Sequence, residues 1–170
     1  MTKQLRVMVG VPGSGKSTWL KKQVEYLEAD GFHVAVISRD EIRKSFIGEN
    51  EDYFSHEVEV FNEFIRQINE AMEIGFDYVF VDATHISRGS RAKLLGRLRP
   101  DSSTDLVFEV IECGLATCLV RNAKRTGFAR VPDSAIHKMY REYRPPALQE
   151  FANTHYGFRG VAINHYNTEN

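Results

Sequence analysis

Gly10-Val11-Pro12-Gly13-Ser14-Gly15-Lys16-Ser17-Thr18 sets glycines at 10 and 15, four residues between them, directly before Lys and Ser. That is the spacing of a phosphate-binding loop. Glycine lets the backbone turn its N–H groups inward around a phosphate, and the helix that follows adds the positive end of its dipole. In this reading Gly10, Pro12, Gly13, Ser14, Gly15 and Thr18 shape the nucleotide cradle. Lys16 supplies a point charge for the outer phosphates, and Ser17 offers a hydroxyl to Mg²⁺. At average residue usage a chance match would arise in about one chain in a hundred of this length. The flanks also fit. Leu5 to Val9 is an apolar run suited to a buried strand, and Trp19 to Leu27 continues as a helix. The chain is expected to bind ATP or another nucleoside triphosphate.

Working outward, His33–Ile37, Tyr78–Val81 and Leu106–Ile111 read as further short buried strands, with a brief fifth at Val161–Ile163. Between them lie helical segments. One is announced by Ser38 with Glu41 three residues on, a capping box. Others run over Phe54–Ile74, Ser87–Leu98, Leu115–Arg125 and Asp133–Tyr143. Strands alternating with helices predict an α/β fold with a parallel sheet of about five strands, covered by helices on both faces. The first strand is expected to be central, beside those that end near Asp40 and Asp82. Residues 1–170 read as a single domain, with no repeat or low-complexity linker.

Composition narrows the rest. Apolar residues make up 42% and charged residues 26%, as in an ordinary soluble protein, and the formal charge of −1 gives no bulk attraction for a polyanion. Cys113 and Cys118 form neither a disulfide framework nor a metal-ligand motif, and no apolar run reaches membrane-spanning length. These features, with no leader ahead of the first strand, predict a cytoplasmic protein with no membrane partner. Oligomeric state is not readable.

In parallel sheets ligands gather at the carboxyl ends of the strands, which directs attention to four places. Asp82 closes the Tyr-Val-Phe-Val-Asp strand, where an acid orients Mg²⁺ and its water; a turn-capping aspartate is the plainer alternative. Thr84 follows at the same rim and is placed with the acceptor, while His85 reads equally well as a surface histidine. Asp40 comes just after a strand, with Arg43 three residues later on the same helix face. A carboxylate there could orient an acceptor hydroxyl and take its proton, or could simply serve the helix dipole and a surface ion pair. Arg121 and Arg125, four apart, could clamp a triphosphate from a mobile lid or belong to a solvated face.

Taken in order, GVPGSGKSTW at 10–19, SRDEIR at 38–43, FVDAT at 80–84, VRNAKR at 120–125 and VP at 131–132 resemble the polynucleotide 5′-kinase group of phosphate-loop (P-loop) kinases. This group is known from bacteriophage end-healing enzymes and RNA-repair proteins. The resemblance covers most of the chain and implies a P-loop kinase fold with a helical lid. It further implies ATP and Mg²⁺, and transfer of a phosphoryl group to the 5′-OH of an RNA or DNA end or a nucleotide. On it, Lys16 and Ser17 contact phosphate and metal, Asp40 is the general base, Arg43 meets an acceptor phosphate, and Arg121 and Arg125 are the lid arginines. Two departures stand out. The glycine after the second lid arginine is displaced by one position, to Gly127, and there is no room for a phosphatase or ligase domain, so 3′-phosphatase activity is not expected. The same chemistry on a small metabolite, a modified base or an aminoacyl-tRNA is the alternative. A nucleotide-dependent ATPase or switch lies further away, because a carboxylate–arginine pair sits where an acceptor would.

Overall fold

A computed structural model describes residues 2–169. Among them the chain runs β1 (Lys3–Val9), α1 (Lys16–Ala29), β2 (Val34–Ser38), α2 (Arg39–Phe46), α3 (Glu57–Ile74), β3 (Tyr78–Asp82), α4 (Arg88–Leu95), β4 (Thr104–Glu112), α5 (Leu115–Ala123), α6 (Asp133–Glu142) and β5 (Val161–Asn167). The five strands form one sheet in the order β2-β3-β1-β4-β5, every neighbouring pair parallel. This is the α/β, P-loop kinase-like fold that the sequence predicts.

Alternation along the inner strands explains the layering. Leu5, Val7 and Val9 of β1, Val79 and Val81 of β3, and Leu106, Phe108 and Val110 of β4 face one side, against Phe64, Ile65 and Ile68 of α3 and Leu94 and Leu95 of α4. Met8, Phe80 and Ile111 face the other, against Leu20 and Leu27 of α1. Both faces are covered, so these strands read as continuous apolar runs.

One expectation is corrected. β1 lies between β3 and β4, and β2 is an edge strand beside β3 rather than beside β1. Exposure gives the reason: Val79, Phe80 and Val81 are fully buried, whereas Val36 of β2 is 42% exposed and suits an edge. β5 extends well past Ile163, to Asn167, because it pairs with β4 along its whole length. α3 begins at Glu57 rather than Phe54. Ser38 does cap α2 by accepting from the Glu41 N–H, but the Glu41 carboxylate pairs with Lys44 instead of completing the box.

Two devices fix the rim above the sheet. The Gly10 N–H donates to the Thr84 carbonyl at 3.0 Å, tying the exit of β1 to that of β3. Arg91, fully buried on α4, donates to both carboxylate oxygens of Glu150 and, at 2.9 Å, to the His85 carbonyl. Arg91→Ala is expected to cost about 3–5 kcal/mol, because it leaves the largely buried Glu150 without its cation. Thermal melting checks this: Tm should fall by about 10 °C, and a change within ~2 °C would show that Glu150 has found water.

Cys113 and Cys118 are free buried thiols with sulfurs 2.9 Å apart, and burial pushes Cys118 up to about 12. No helix among the described residues is long and apolar enough to cross a membrane.

Candidate active site

The loop between β1 and α1 is wedged against its surroundings, which is why glycine stands where it does. Gly13 has φ +84°, and a Cβ there would lie 2.4 Å from the Cys118 carbonyl oxygen of α5. A Cβ on Gly10 would meet the Ile111 carbonyl oxygen at 2.5 Å. Any side chain at either place would force the loop away from α5 or β4. Among the described residues no side chain caps the start of α1, so its first N–H groups are left for a ligand in the loop.

Lys16 curls back over the loop and donates to the carbonyls of Gly10 at 2.8 Å and Val11 at 3.3 Å. Burial pushes its ammonium below the usual lysine range, Asp82 opposes that shift, and Arg125 adds to it. Burial likewise raises the Asp82 carboxyl, with the Lys16 charge acting against it and Asp40 reinforcing it. Lys16, Asp82, Asp40 and Arg125 therefore share one electrostatic site, although they arise from four separate segments. Pro12 and Ser14 are buried in the loop, while Ser17 and Thr18 at the start of α1 are exposed. The Ser14 hydroxyl is buried without a partner among the described residues.

On the β2 side the ends of two strands are in register, Ser38 opposite Asp82, so Asp40 begins α2 at the same rim. Its carboxylate is held by Arg43 at 2.5 Å and accepts from the Tyr53 hydroxyl at 3.0 Å. Burial and the Asp40 charge push the Tyr53 phenol up to about 12, which keeps it a donor. Arg43 is only 7% exposed. It forks onto Glu57 at 2.7 and 3.2 Å, bonds the Tyr53 hydroxyl at 2.9 Å, and lies over the Tyr53 ring at 4.6 Å. With these partners Arg43 braces Asp40 rather than presenting an open fork to an anion. Tyr53 and Glu57 complete the cluster. Sequence reasoning missed them, since Glu57 stands 14 residues from Arg43 and no local pattern couples the two.

The two arginines of the fourth motif separate. α5 stops at Ala123, so Arg125 lies beyond the helix instead of sharing its face with Arg121. The cause is Asn122, fully buried, whose amide donates to the Val131 carbonyl at 2.6 Å and accepts the Val131 N–H at 3.1 Å. That clamp draws residues 123–130 into a closed loop. Arg125 is half-buried, and its charge acts on Lys16. Arg121 is also half-buried, donating to the Gly13 and Ser14 carbonyls at 3.4 and 3.3 Å and to Thr168. Thr168 in turn donates to the Ser14 carbonyl. Arg121 thus sits behind the loop, not loose above it.

Thr84 reaches the rim as expected, but His85 turns inward. It is 5% exposed with φ +44°, its Nδ1 lies 2.8 Å from the Met8 carbonyl, and burial lowers it to about 4. As only Nδ1–H can donate to that carbonyl, Nε2 remains an acceptor.

Among the described residues no cluster of three or more His, Cys, Asp or Glu side chains could hold a metal. The Ser17 hydroxyl and Asp82 carboxylate, the two groups assigned to a metal from the sequence, would offer oxygen ligands only. That donor set fits a hard cation which keeps water and phosphate oxygens as its other ligands.

Residues 5–146 match the family described as AAA domain. The chain belongs to that family. With the phosphate loop in place, membership of the AAA domain family implies nucleotide binding. A curated relative, the L-seryl-tRNA(Sec) kinase of Methanococcus maripaludis, is 29% identical over 150 residues, covering 85% of this chain and 54% of its own length. The chain therefore spans about half of that relative. Chaetomium thermophilum Kti12 in complex with ADP-AlF3 superposes with a TM-score of 0.67 at 17% identity, over 95% of this chain and 89% of that one. The Pnkp1/Rnl/Hen1 RNA repair complex gives a TM-score of 0.63 at 20% identity, over 83% of this chain and 44% of that one. At such identities these two likenesses speak for the fold alone.

Proposed function

We propose that residues 1–170 act as one phosphate-loop kinase domain in the cytoplasm, transferring the γ-phosphoryl group of ATP to a hydroxyl, foremost the 5′-OH of an RNA or DNA end or nucleotide. The observation that carries this reading is Asp40, held by Arg43 and Tyr53 at the rim where Lys16 and Asp82 also converge. A switch or ATPase would need a group that orients water there; a braced carboxylate suits a substrate hydroxyl.

In this scheme the loop N–H groups and Lys16 hold the β- and γ-phosphates, while Arg121 and Arg125 serve the donor side. Asp40 orients the acceptor hydroxyl and takes its proton as the oxygen bonds to the γ-phosphorus. The bond from that phosphorus to the β,γ-bridging oxygen breaks in line, and ADP leaves. Ser17 and Asp82 would hold Mg²⁺, which neutralises phosphate charge when bound. Thr84 lies on the acceptor side. Arg43 acts through Asp40, although the family resemblance gives it an acceptor phosphate.

The similarity to L-seryl-tRNA(Sec) kinase over 85% of the chain supports a second reading, in which the acceptor is the hydroxyl of an aminoacyl-tRNA. Incubation with labelled ATP and a panel of 5′-OH oligonucleotides, nucleotides, seryl-tRNA and small polyols separates these. Label is expected on the 5′-OH ends. Label confined to seryl-tRNA or a polyol would replace that acceptor, and ATP turnover indifferent to every acceptor would overturn the kinase reading.

A further inference from the structure

We propose that the cavity bounded by Arg39, Phe61, Phe64, Thr84, His85 and Lys93 is an oxyanion subsite that holds a negatively charged group carried by the phosphoryl acceptor. The proposal rests on the kinase reading above and adds a recognition element that neither the motifs nor Arg43 supply.

Position comes first. The cavity opens where α2, the segment after β3 and α4 meet. Arg39 immediately precedes Asp40, and Thr84 follows Asp82 by two residues. The cavity thus borders the start of α2, the helix that carries Asp40, although Asp40 itself is not part of its wall.

Charge points the same way. Arg39 uses one terminal nitrogen on Glu57 at 3.1 Å, but its Nε is buried without a partner among the described residues. Buried donors in native proteins are nearly always paired, so an orphaned one on a residue that lines a cavity calls for an acceptor. Burial also depresses Arg39, with the Glu57 charge offsetting only part of that shift. Lys93 has no carboxylate within ion-pair distance among the described residues, and its ammonium stands 4.6 Å over the Phe61 ring. The same ring is faced by Arg39 at 5.5 Å and by Arg97 at 5.9 Å. The nearby carboxylates are already engaged: Glu57 bridges Arg39 and Arg43, and Asp40 is held by Arg43. Two cations, Arg39 and Lys93, thus line the cavity while the nearby carboxylates are committed elsewhere, which favours an anion.

Size and lining set its class. The volume is about 70 Å³, enough for several water-sized groups. A cavity of this size has room for a phosphate or carboxylate group. The Thr84 hydroxyl, without a hydrogen-bond partner in the described structure, adds a neutral donor, and the Gly10 N–H fixes its backbone. Arg and Lys donors with a hydroxyl are the usual company of an oxyanion.

A binding arm and a transfer arm test this. With the donor site saturated by a non-hydrolysable ATP analogue and Mg²⁺, inorganic phosphate is titrated and its binding followed by ³¹P NMR. Wild-type protein should bind it, while Lys93→Met and Arg39→Met should weaken binding about tenfold or more. Arg97→Met, which alters the ring's surroundings but not the cavity wall, should retain it. Lys93 lies exposed on α4, so its variant keeps the test intact should Arg39→Met misfold. In the transfer arm, kcat/KM is compared for a nucleoside and its 3′-monophosphate, and for glycerol and glycerate. The charged member of one pair should be preferred about tenfold or more, and the preference should collapse toward unity in Lys93→Met. The pair that responds identifies phosphate or carboxylate as the source. Phosphate binding or preference untouched in both variants would overturn the subsite and leave the kinase reading standing. Phosphate binding lost in the variants, with no transfer to any acceptor, would uphold the anion site and overturn the kinase reading.

Discussion

Lys16→Ala is expected to lower phosphoryl transfer about a hundredfold or more, with circular dichroism unchanged. The lysine is the one side chain in the loop that can follow charge as it moves from the γ-phosphoryl group onto the leaving ADP. Its ammonium donates to the Gly10 and Val11 carbonyls, pre-aimed across the loop, and burial already holds it in a poorly solvated place. A charge so placed needs little reorganisation during the reaction, which is what makes it effective. The fold should survive, because burying the ammonium is itself unfavourable and the two carbonyls can turn to water. Steady-state rates with saturating ATP read the result. A folded variant within about threefold of wild type would remove Lys16 from the chemistry.

Asp40→Asn should have a comparable effect by a different route. The amide oxygen can still accept from Arg43 and Tyr53, so the cluster keeps its shape, but asparagine cannot take the acceptor proton. Loss of a general base corresponds to about 10²–10⁴ in rate. The fall should appear in kcat for the acceptor, with the KM for ATP within about twofold. A helix-start role predicts the reverse pattern, a loss of about 1 kcal/mol in stability with the rate preserved. Rate and Tm measured on the same preparation separate the two.

The contrast between Lys16 and Arg43 shows how much of the site could be read in advance. The place of Lys16 was legible because it follows from local constraints: glycine spacing, a preceding apolar strand and the helix after it. Asp40 was legible as a residue just past a strand end. Arg43 was placed beside Asp40 on one helix face, but its other partners were not legible. Its main partner, Glu57, is contributed by another helix, and Tyr53 by the connection between α2 and α3, which the sequence reading assigned no role. Arg125 was expected on the same helix as Arg121, yet that helix ends early because of Asn122, whose partner Val131 is nine residues on. Thr168, which holds Arg121 behind the loop, stands 47 residues away from it.

By itself the sequence determined the phosphate loop, the alternation of buried strands with amphipathic helices, and hence a parallel sheet with its site at the strand carboxyl ends. These are set by φ preferences, hydrogen-bond periodicity and the burial of apolar side chains, all of which act within a few residues. Only the tertiary structure decided that β3, not β2, sits beside β1, that Arg43 braces Asp40, and that Arg39 and Lys93 converge on one cavity. Each depends on which distant surfaces exclude water together. A side chain's charge and shape are fixed by the sequence, but its partner is fixed by packing.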